Sequence, residues 1–319
     1  MDATFQVLVT AAHWAPSAQD IVRGAGGQIT FLPDPVTEDL LAARLAATGA
    51  RALVLRGSKP ISARVLAAAP ALKIVAKNGA GVDSVDLAAA RQRGVAVAVA
   101  PAANADAVAE HALALMLSLT RQLPLLDGMV RGGRWADSSW QGRDFRGAVV
   151  GIVGYGGIGR RTARLAAALG ARVLVLRPHG QADGHATEPD LDRFLAQVDI
   201  LSLHCPLTDR TRGLIGRREL SLMRRGGLLI NTARGAVVDE AALLEALQSG
   251  HLDGAGLDTF DTEPLPVGHP LLALPNVLLT PHVAGVTRDA ALQVANITAR
   301  NIVDYLATGT LPAHHLVAA

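Results

Sequence analysis

Cysteine is almost absent: Cys205 is the single one in 319 residues. That excludes an internal disulfide framework and suits a reducing, cytoplasmic setting. Charge of one sign is lacking too, with 30 Lys and Arg against 28 Asp and Glu and a formal net charge of +2. The sequence pI is near 9.0, but so small an excess makes no long-range basic field, and no stretch interleaves aromatic with basic residues. A nucleic-acid partner is not expected. Long hydrophobic runs are missing as well. The most lipid-like stretch, Ala112 to Leu119, is too short to span a bilayer and is flanked by Glu110, His111 and Arg121, so no membrane partner is expected. The first twenty residues carry no basic segment ahead of their apolar run, and no signal peptide is expected. Internal repeats and low-complexity tracts are absent apart from a general richness in alanine. No metal is expected.

What is present is apolar. Hydrophobic residues make up 50% of the chain, enough for two cores, and the length exceeds the usual single-domain size, so two domains are expected. The stretch Ala148 to Arg177, AVVGIVGYGGIGRRTARLAAALGARVLVLR, organises the rest. Val149, Val150, Ile152 and Val153 read as a strand buried on both faces. Gly154, Gly156 and Gly159 follow, then helical apolar positions at Ile158, Leu165 and Leu169, a stop at Gly170, and a second strand from Arg172 to Leu176. This is a βαβ unit with Gly-x-Gly-x-x-Gly at its first turn, the pattern of a dinucleotide site. Gly154 permits the tight turn, Gly156 the approach of a pyrophosphate, and Gly159 close packing of helix on strand, with the helix N-terminus facing the anion.

The residue at the end of the second strand bears on which dinucleotide. NAD-binding units place an Asp or Glu about 20 residues past the turn to accept from the ribose 2′-OH. Here Leu176 is followed by Arg177, and Arg160, Arg161, Arg164, Arg172 and Arg177 occur with no acidic residue among them. Cations in a helix's first turn oppose its dipole, so Arg160 and Arg161 call for a nearby anion, which a 2′-phosphate supplies. Arg164 and Arg172 read equally well as a solvated face. An arginine fork binds phosphate and offers no acceptor to a ribose hydroxyl, so Arg177 favours NADP(H), with NAD(H) possible.

Along the chain, strands at Gln6–Ala12, Ile29–Leu32, Ala52–Leu55, Leu72–Ala76 and Val95–Val99 alternate with helices at Glu38–Ala47, Ile61–Ala69 and Asp86–Gln92. Such alternation implies a parallel sheet covered by helices. Asn104–Thr120 reads as a long apolar helix, and Pro124 as an interruption of the segment after it. Pro178–Pro189 reads as a loop. Val198–Leu203, Leu228–Asn231, Gly254–Leu257 and Val277–Leu279 are short strands completing a second doubly wound sheet, and Thr287–Leu306 is a helix long enough to return to the first domain.

In doubly wound sheets ligands sit outside the carboxyl ends of the strands. There the sequence places Lys77-Asn78-Gly79-Ala80-Gly81, a small-residue loop whose N–H groups suit an anion, and His204-Cys205-Pro206. It also places Arg234, able to grip a carboxylate, then Asp258 with Glu263, and His282. A carboxylate, an imidazole and a guanidinium at strand ends make a proton-transfer and carboxylate-binding set, with Glu263 favouring the imidazolium of His282.

These segments resemble the D-isomer-specific 2-hydroxyacid dehydrogenase family, the group containing phosphoglycerate dehydrogenase and glyoxylate/hydroxypyruvate reductase. The matching stretches are NGAGVDSVDLAAA, NADAVAEHALALML, GIVGYGGIGR, LHCPLTDRTRGLI, NTARGAVVDEAAL, GAGLDTFDTEPLP and NVLLTPHVAGVT. The resemblance implies an α/β fold of two doubly wound parallel-sheet domains with a cleft between them. A flavodoxin-like substrate domain would comprise residues 1–100 plus 284–319 and a Rossmann NAD(P)-binding domain residues 101–283, with a homodimer held through the latter. It implies Arg234, Glu263 and His282 as catalytic residues, and Asn78, Gly79, Ala80 and Gly81, with Arg234, as binders of a 2-keto or 2-hydroxy acid. Gly154, Tyr155, Gly156, Gly157, Ile158, Gly159, Arg160, Arg177, Cys205, Pro206, Thr211, Thr232, Ala233, Asp258 and His282 would line the cofactor, Asp258 at the nicotinamide carboxamide. The expected activity is an NADP(H)-preferring 2-keto acid reductase of the glyoxylate/hydroxypyruvate type. D-3-phosphoglycerate dehydrogenase is the alternative, with Arg56 and Lys77 as candidate phosphate binders and the end at Ala319 leaving a short form open. A non-catalytic NAD(P)-sensing protein is the second alternative.

Overall fold

The computed structural model describes residues 4–318 except 58, 178, 179 and 181. The chain divides into two compact units, one formed by the residues up to Asn104 together with those from Val286 onward, the other by Ala105–Gly285.

In the first unit, strands β1 (Phe5–Val9), β2 (Gly27–Phe31), β3 (Ala52–Leu55), β4 (Ile74–Lys77) and β5 (Ala96–Ala98) pair in parallel in the order β5-β4-β3-β1-β2. That is the flavodoxin-like order. Alternation along the strands fills two layers. Leu8, Leu53, Val75 and Val97 join Leu41 and Leu45 on one face, and Val7, Val9, Val54 and Ile74 join Val22 and Ile302 on the other. Helices α1 (Pro16–Gly24), α2 (Glu38–Thr48), α3 (Ala63–Ala67) and α4 (Leu87–Gln92) cover the sheet. Thr37, Ser62 and Asp86 accept from the third N–H beyond them as N-caps, and Gly49 ends α2 in the left-handed conformation. The C-terminal helix Arg288–Thr308 packs on α1 and β4, where Thr298 Oγ1 donates to Lys77 O at 3.3 Å and Asn301 Nδ2 to Val99 O at 2.8 Å. A last strand, Leu316–Ala318, adds antiparallel to β5. The hydrophobic pattern carries no sign of this three-residue edge, which forms by backbone pairing.

In the second unit, α5 (Ala105–Thr120) and α6 (Leu123–Arg131) precede β6 (Val149–Val153). Pro124 lies in the first turn of α6 and does not interrupt a helix; its missing N–H is one the first turn leaves unbonded anyway. After α7 (Gly157–Ala168) come β7 (Arg172–Leu176), β8 (Ala186–Glu188), α8 (Leu191–Leu195), β9 (Ile200–Leu203), α9 (Arg217–Leu222), β10 (Gly227–Asn231), α10 (Glu240–Gln248), β11 (Leu252–Leu257) and β12 (Val277–Leu279). All strand pairs are parallel, in the order β12-β11-β10-β9-β6-β7-β8. This is the Rossmann arrangement with one further strand. β8 lies within the segment expected to be a loop, where breaker residues hide a short edge strand; Pro178, His179 and Gln181 of that segment fall outside the described residues. The order reverses between β6 and β9, so the carboxyl ends of these two strands flank the crevice where such sheets bind ligands.

Candidate active site

The glycine turn leaves β6 at that switch point. Gly154 has φ +93, and a Cβ on it would come within 2.4 Å of Cys205 N, so the turn lies flat against the end of β9. His204 N, donating to Val153 O at 2.7 Å, fixes the two strand ends together. A Cβ on Gly159 would sit 2.0 Å from Gly154 O, so α7 packs directly on the turn, whereas a Cβ on Gly156 would meet nothing within 4 Å. The turn is thus tight toward the protein and open at Gly156 and at the start of α7. Exposed backbone at a helix N-terminus is the cradle a pyrophosphate needs, and the residues fit a dinucleotide. Cys205, at the contact with the turn, and Ala233 are both buried. The Thr211 hydroxyl closes its own loop, donating to Pro206 O at 2.6 Å and accepting from Thr208 N at 2.8 Å, and Thr232 Oγ1 is buried with no hydrogen-bond partner among the described residues.

Farther along the sheet, His282 Nδ1 lies 2.8 Å from Glu263 Oε2. The other carboxylate oxygen of Glu263 accepts from Phe260 N at 3.1 Å, so the acid is held from both sides. With 44% of its side chain exposed, the imidazole is accessible. His282 itself has φ +55, a left-handed backbone that a non-glycine residue adopts only when its surroundings enforce it. The enforcement comes from Asp258, a carboxylate only 1% exposed at the end of β11. Its Oδ1 accepts from Val283 N at 2.9 Å and from Thr280 Oγ1 at 2.6 Å, and its Oδ2 from Ala284 N at 2.9 Å. Three donors satisfy a buried charge and pin the loop on either side of His282.

Arg234 follows β10 in a turn clamped by the buried Asn231, which donates through Nδ2 to Arg234 O at 2.9 Å and accepts from Ala233 N at 3.0 Å. The next residue, Gly235, is so close to the segment leading to Glu263 that a Cβ on it would fall 1.9 Å from the Phe260 carbonyl carbon. The Arg234 turn and the segment leading to Glu263 are therefore in direct backbone contact, Gly235 on Phe260 and Asp261.

In the first unit, the Asn78–Gly81 loop leaves β4. Trp14 Nε1 donates to Asn78 Oδ1 at 2.9 Å, and Gly79 O accepts from Ala100 N at 2.9 Å. The Asn78 N–H is committed to Leu55 O at 2.9 Å, so it cannot join an anion-binding set of backbone donors in this loop.

At the far end of the glycine turn, Tyr155 gathers a charged cluster. The Arg160 and Arg177 guanidinium carbons lie 5.3 and 5.9 Å from the centre of its ring. Its hydroxyl is 3.0 Å from Ala182 O and 3.1 Å from Asp183 Oδ2, and Arg160 Nη1 is 3.5 Å from the same Asp183 oxygen. Burial, and the hydrogen bond to Asp183, raise the phenol above its ordinary value. Arg161 pairs with Asp106 at 2.5 Å. The anions that compensate the first-turn arginines thus come from the chain itself, which corrects the expectation that they call for a cofactor phosphate. These partners are invisible to a local reading because one stands on a preceding helix and the other beyond the second strand.

The profile "D-isomer specific 2-hydroxyacid dehydrogenase, NAD binding domain" matches residues 113–284. The chain is 42% identical over 290 residues to D-3-phosphoglycerate dehydrogenase of Mycobacterium tuberculosis (strain ATCC 25618 / H37Rv), covering 89% of this chain and 54% of that protein. It is 39% identical over 262 residues to glyoxylate reductase of Thermofilum pendens, covering 79% of this chain and 77% of the relative. The chain belongs to the D-isomer-specific 2-hydroxyacid dehydrogenase family. A solved glyoxylate reductase from Paecilomyes thermophila superposes with a TM-score of 0.88 at 30% identity, covering 99% of each chain. The chain spans about half the length of the D-3-phosphoglycerate dehydrogenases it matches. Among the described residues no helix is long and apolar enough to cross a membrane.

Two histidines make contacts that the sequence does not report. His111, on α5, places Nε2 3.0 Å from Thr280 Oγ1, extending the Asp258 network to a helix 169 positions away, a separation no local spacing reports. His204, at the end of β9, has Nε2 2.9 Å from Ser202 Oγ and a buried Nδ1 with no hydrogen-bond partner among the described residues. Burial lowers it from 6.5 to about 4. Between those values the unfolded chain binds a proton that the folded one does not, so stability is present above pH 6.5 and declines as pH falls toward 4, by up to about 3 kcal/mol. Denaturant unfolding from pH 7 to 4 is expected to show a shallower decline for His204→Gln than for the unaltered protein. Parallel declines would exclude His204 as the source.

Proposed function

We propose that this chain reduces a 2-keto acid of the glyoxylate or hydroxypyruvate class to the D-2-hydroxy acid, with NADP(H) preferred over NAD(H). The observation that carries this is the His282–Glu263 pair at 2.8 Å, in the same unit as the glycine turn and joined through Phe260 to the Arg234 turn. A nicotinamide held at the glycine turn would supply the hydride. His282, oriented by Glu263 at 2.8 Å, donates through Nε2 to the carbonyl oxygen as negative charge develops there. Arg234 stabilises that oxygen and orients the substrate carboxylate; in the first unit, the Gly79, Ala80 and Gly81 N–H groups serve as anion donors, with Asn78 shaping the loop. In the reverse direction neutral His282 takes the hydroxyl proton. Asp258 retains one acceptor position on Oδ2 for the nicotinamide carboxamide. Within the same proposal the protein is a cytoplasmic homodimer.

The cofactor preference rests on Arg177 at the end of β7, where an acidic residue would serve NAD. Arg177→Asp is expected to shift the kcat/KM ratio toward NADH by about 10- to 100-fold, the worth of one or two hydrogen bonds to a charged group. Equal use of NADPH and NADH by the unaltered protein would contradict this assignment.

The relatives named D-3-phosphoglycerate dehydrogenase support a second reading. Arg56 donates to His13 O at 2.7 Å and Lys77 to Gly57 O, which places two cations at strand ends of the first unit, suited to a substrate phosphate. Oxidation of NADPH and NADH with glyoxylate, hydroxypyruvate and 3-phosphohydroxypyruvate separates the readings. Highest kcat/KM with the phosphorylated acid would replace the first by the second. Binding of NADPH without oxidation by any acid would favour a nucleotide sensor.

A further inference from the structure

Asp183 is not needed for proton transfer, yet the structure presents it rigidly to the Tyr155 cluster. Asp183 and Gly184 have φ +51 and +85, and His185 N donates to Ala182 O at 2.8 Å across an antiparallel bridge. Left-handed backbone at both central residues is the habit of a type I′ turn, for which Asp-Gly and Asn-Gly are favoured pairs. The turn is anchored at its base, since Ala182 is 1% exposed and its carbonyl oxygen lies within hydrogen-bonding reach of the Tyr155 hydroxyl. Asp183 is therefore fixed by the turn and by Tyr155 before its charge is considered. Its Oδ2 then lies 3.5 Å from Arg160, the first-turn arginine of α7. Glu188, on the neighbouring strand, turns its Oε1 to Asp190 N at 3.0 Å instead.

We propose that Asp183 is a selectivity residue of the dinucleotide site, a carboxylate that pairs with Arg160 and must release it to a 2′-phosphate, thereby restraining affinity for NADP(H) and offering an acceptor to the ribose hydroxyl of NAD(H). The inference rests on the NADP(H) reading above, which puts the 2′-phosphate at Arg177, whose guanidinium shares the Tyr155 ring with that of Arg160. A carboxylate and a phosphate competing for one guanidinium repel each other, while a ribose hydroxyl donates to a carboxylate. Removing the charge therefore moves both nucleotides in the direction of greater discrimination.

Asp183→Asn removes the charge while keeping a favoured turn pair and an acceptor for Tyr155. Calorimetric titration with adenosine 2′,5′-bisphosphate and adenosine 5′-monophosphate, which differ only in the 2′-phosphate, isolates the effect from turnover. Asp183→Asn is expected to raise affinity for the bisphosphate about 3- to 5-fold, the scale of one partly exposed charge pair, with that for the monophosphate unchanged or weakened. In an Arg160→Gln background the gain should disappear. An unchanged or reduced preference for the bisphosphate in Asp183→Asn would overturn the proposal, as would a gain persisting undiminished without Arg160. If the unaltered protein binds the two nucleotides equally but Asp183→Asn favours the bisphosphate, the NADP(H) preference fails and the role of Asp183 stands. If neither protein discriminates, both fall.

Discussion

Replacing His282 with Gln is expected to lower turnover by ~10²–10⁴-fold, the usual contribution of a positioned general acid, with little change in the affinity for reduced nucleotide. The amide can still reach Glu263 but has no proton to transfer at neutral pH. The loop carrying it is held independently, by Val283 N and Ala284 N on Asp258, so the substitution removes the proton carrier without releasing the loop. The glycine turn lies on a different strand, β6, and is fixed by its own contact with Cys205. Steady-state kinetics beside a fluorescence titration of NADPH separate the two effects. Full turnover in His282→Gln would remove the assignment of this residue as the acid.

Gly235→Ala should be nearly as damaging although it touches no charged group. The added methyl carbon would stand 1.9 Å from the Phe260 carbonyl carbon, 2.2 Å from its oxygen and 2.3 Å from Asp261 N. All three are backbone atoms, so no side chain can swing aside, and the two segments must part by roughly 1 Å. A displacement of that size at a reacting centre lowers rates about 10²-fold, and the overpacking itself destabilises by about 1–3 kcal/mol. A fall in kcat/KM with nucleotide binding retained is the expected result, and Tm measured alongside separates it from unfolding. Wild-type kinetics in Gly235→Ala would show that the contact between the Arg234 turn and the Glu263 segment does not set the geometry.

Much of this architecture is legible in the residues because its signals are local. A doubly buried strand, a glycine turn and an amphipathic helix declare β6 and α7 within one short stretch, and Asp258, Glu263 and His282 stand just past apolar runs where parallel sheets present their ligands. Features that depend on meeting across the chain are not legible in that way. Nothing in the sequence around Gly235 says that Phe260 will lie against it, and nothing near His111 points to Thr280. The arginine-rich segment misleads for the same reason: its compensating anions, Asp106 and Asp183, lie outside the stretch that carries the arginines. Short edge strands, β8 and Leu316–Ala318, carry too few residues for alternation to register.

Hydride transfer can be read directly by supplying NADPH deuterated at the nicotinamide C4 with glyoxylate, hydroxypyruvate or 3-phosphohydroxypyruvate and analysing the product by mass spectrometry. One deuterium at carbon 2 of the hydroxy acid, appearing with the unaltered protein and suppressed in His282→Gln, is the predicted result. Deuterium retained in bound nucleotide, with every keto acid recovered unreduced, would contradict it.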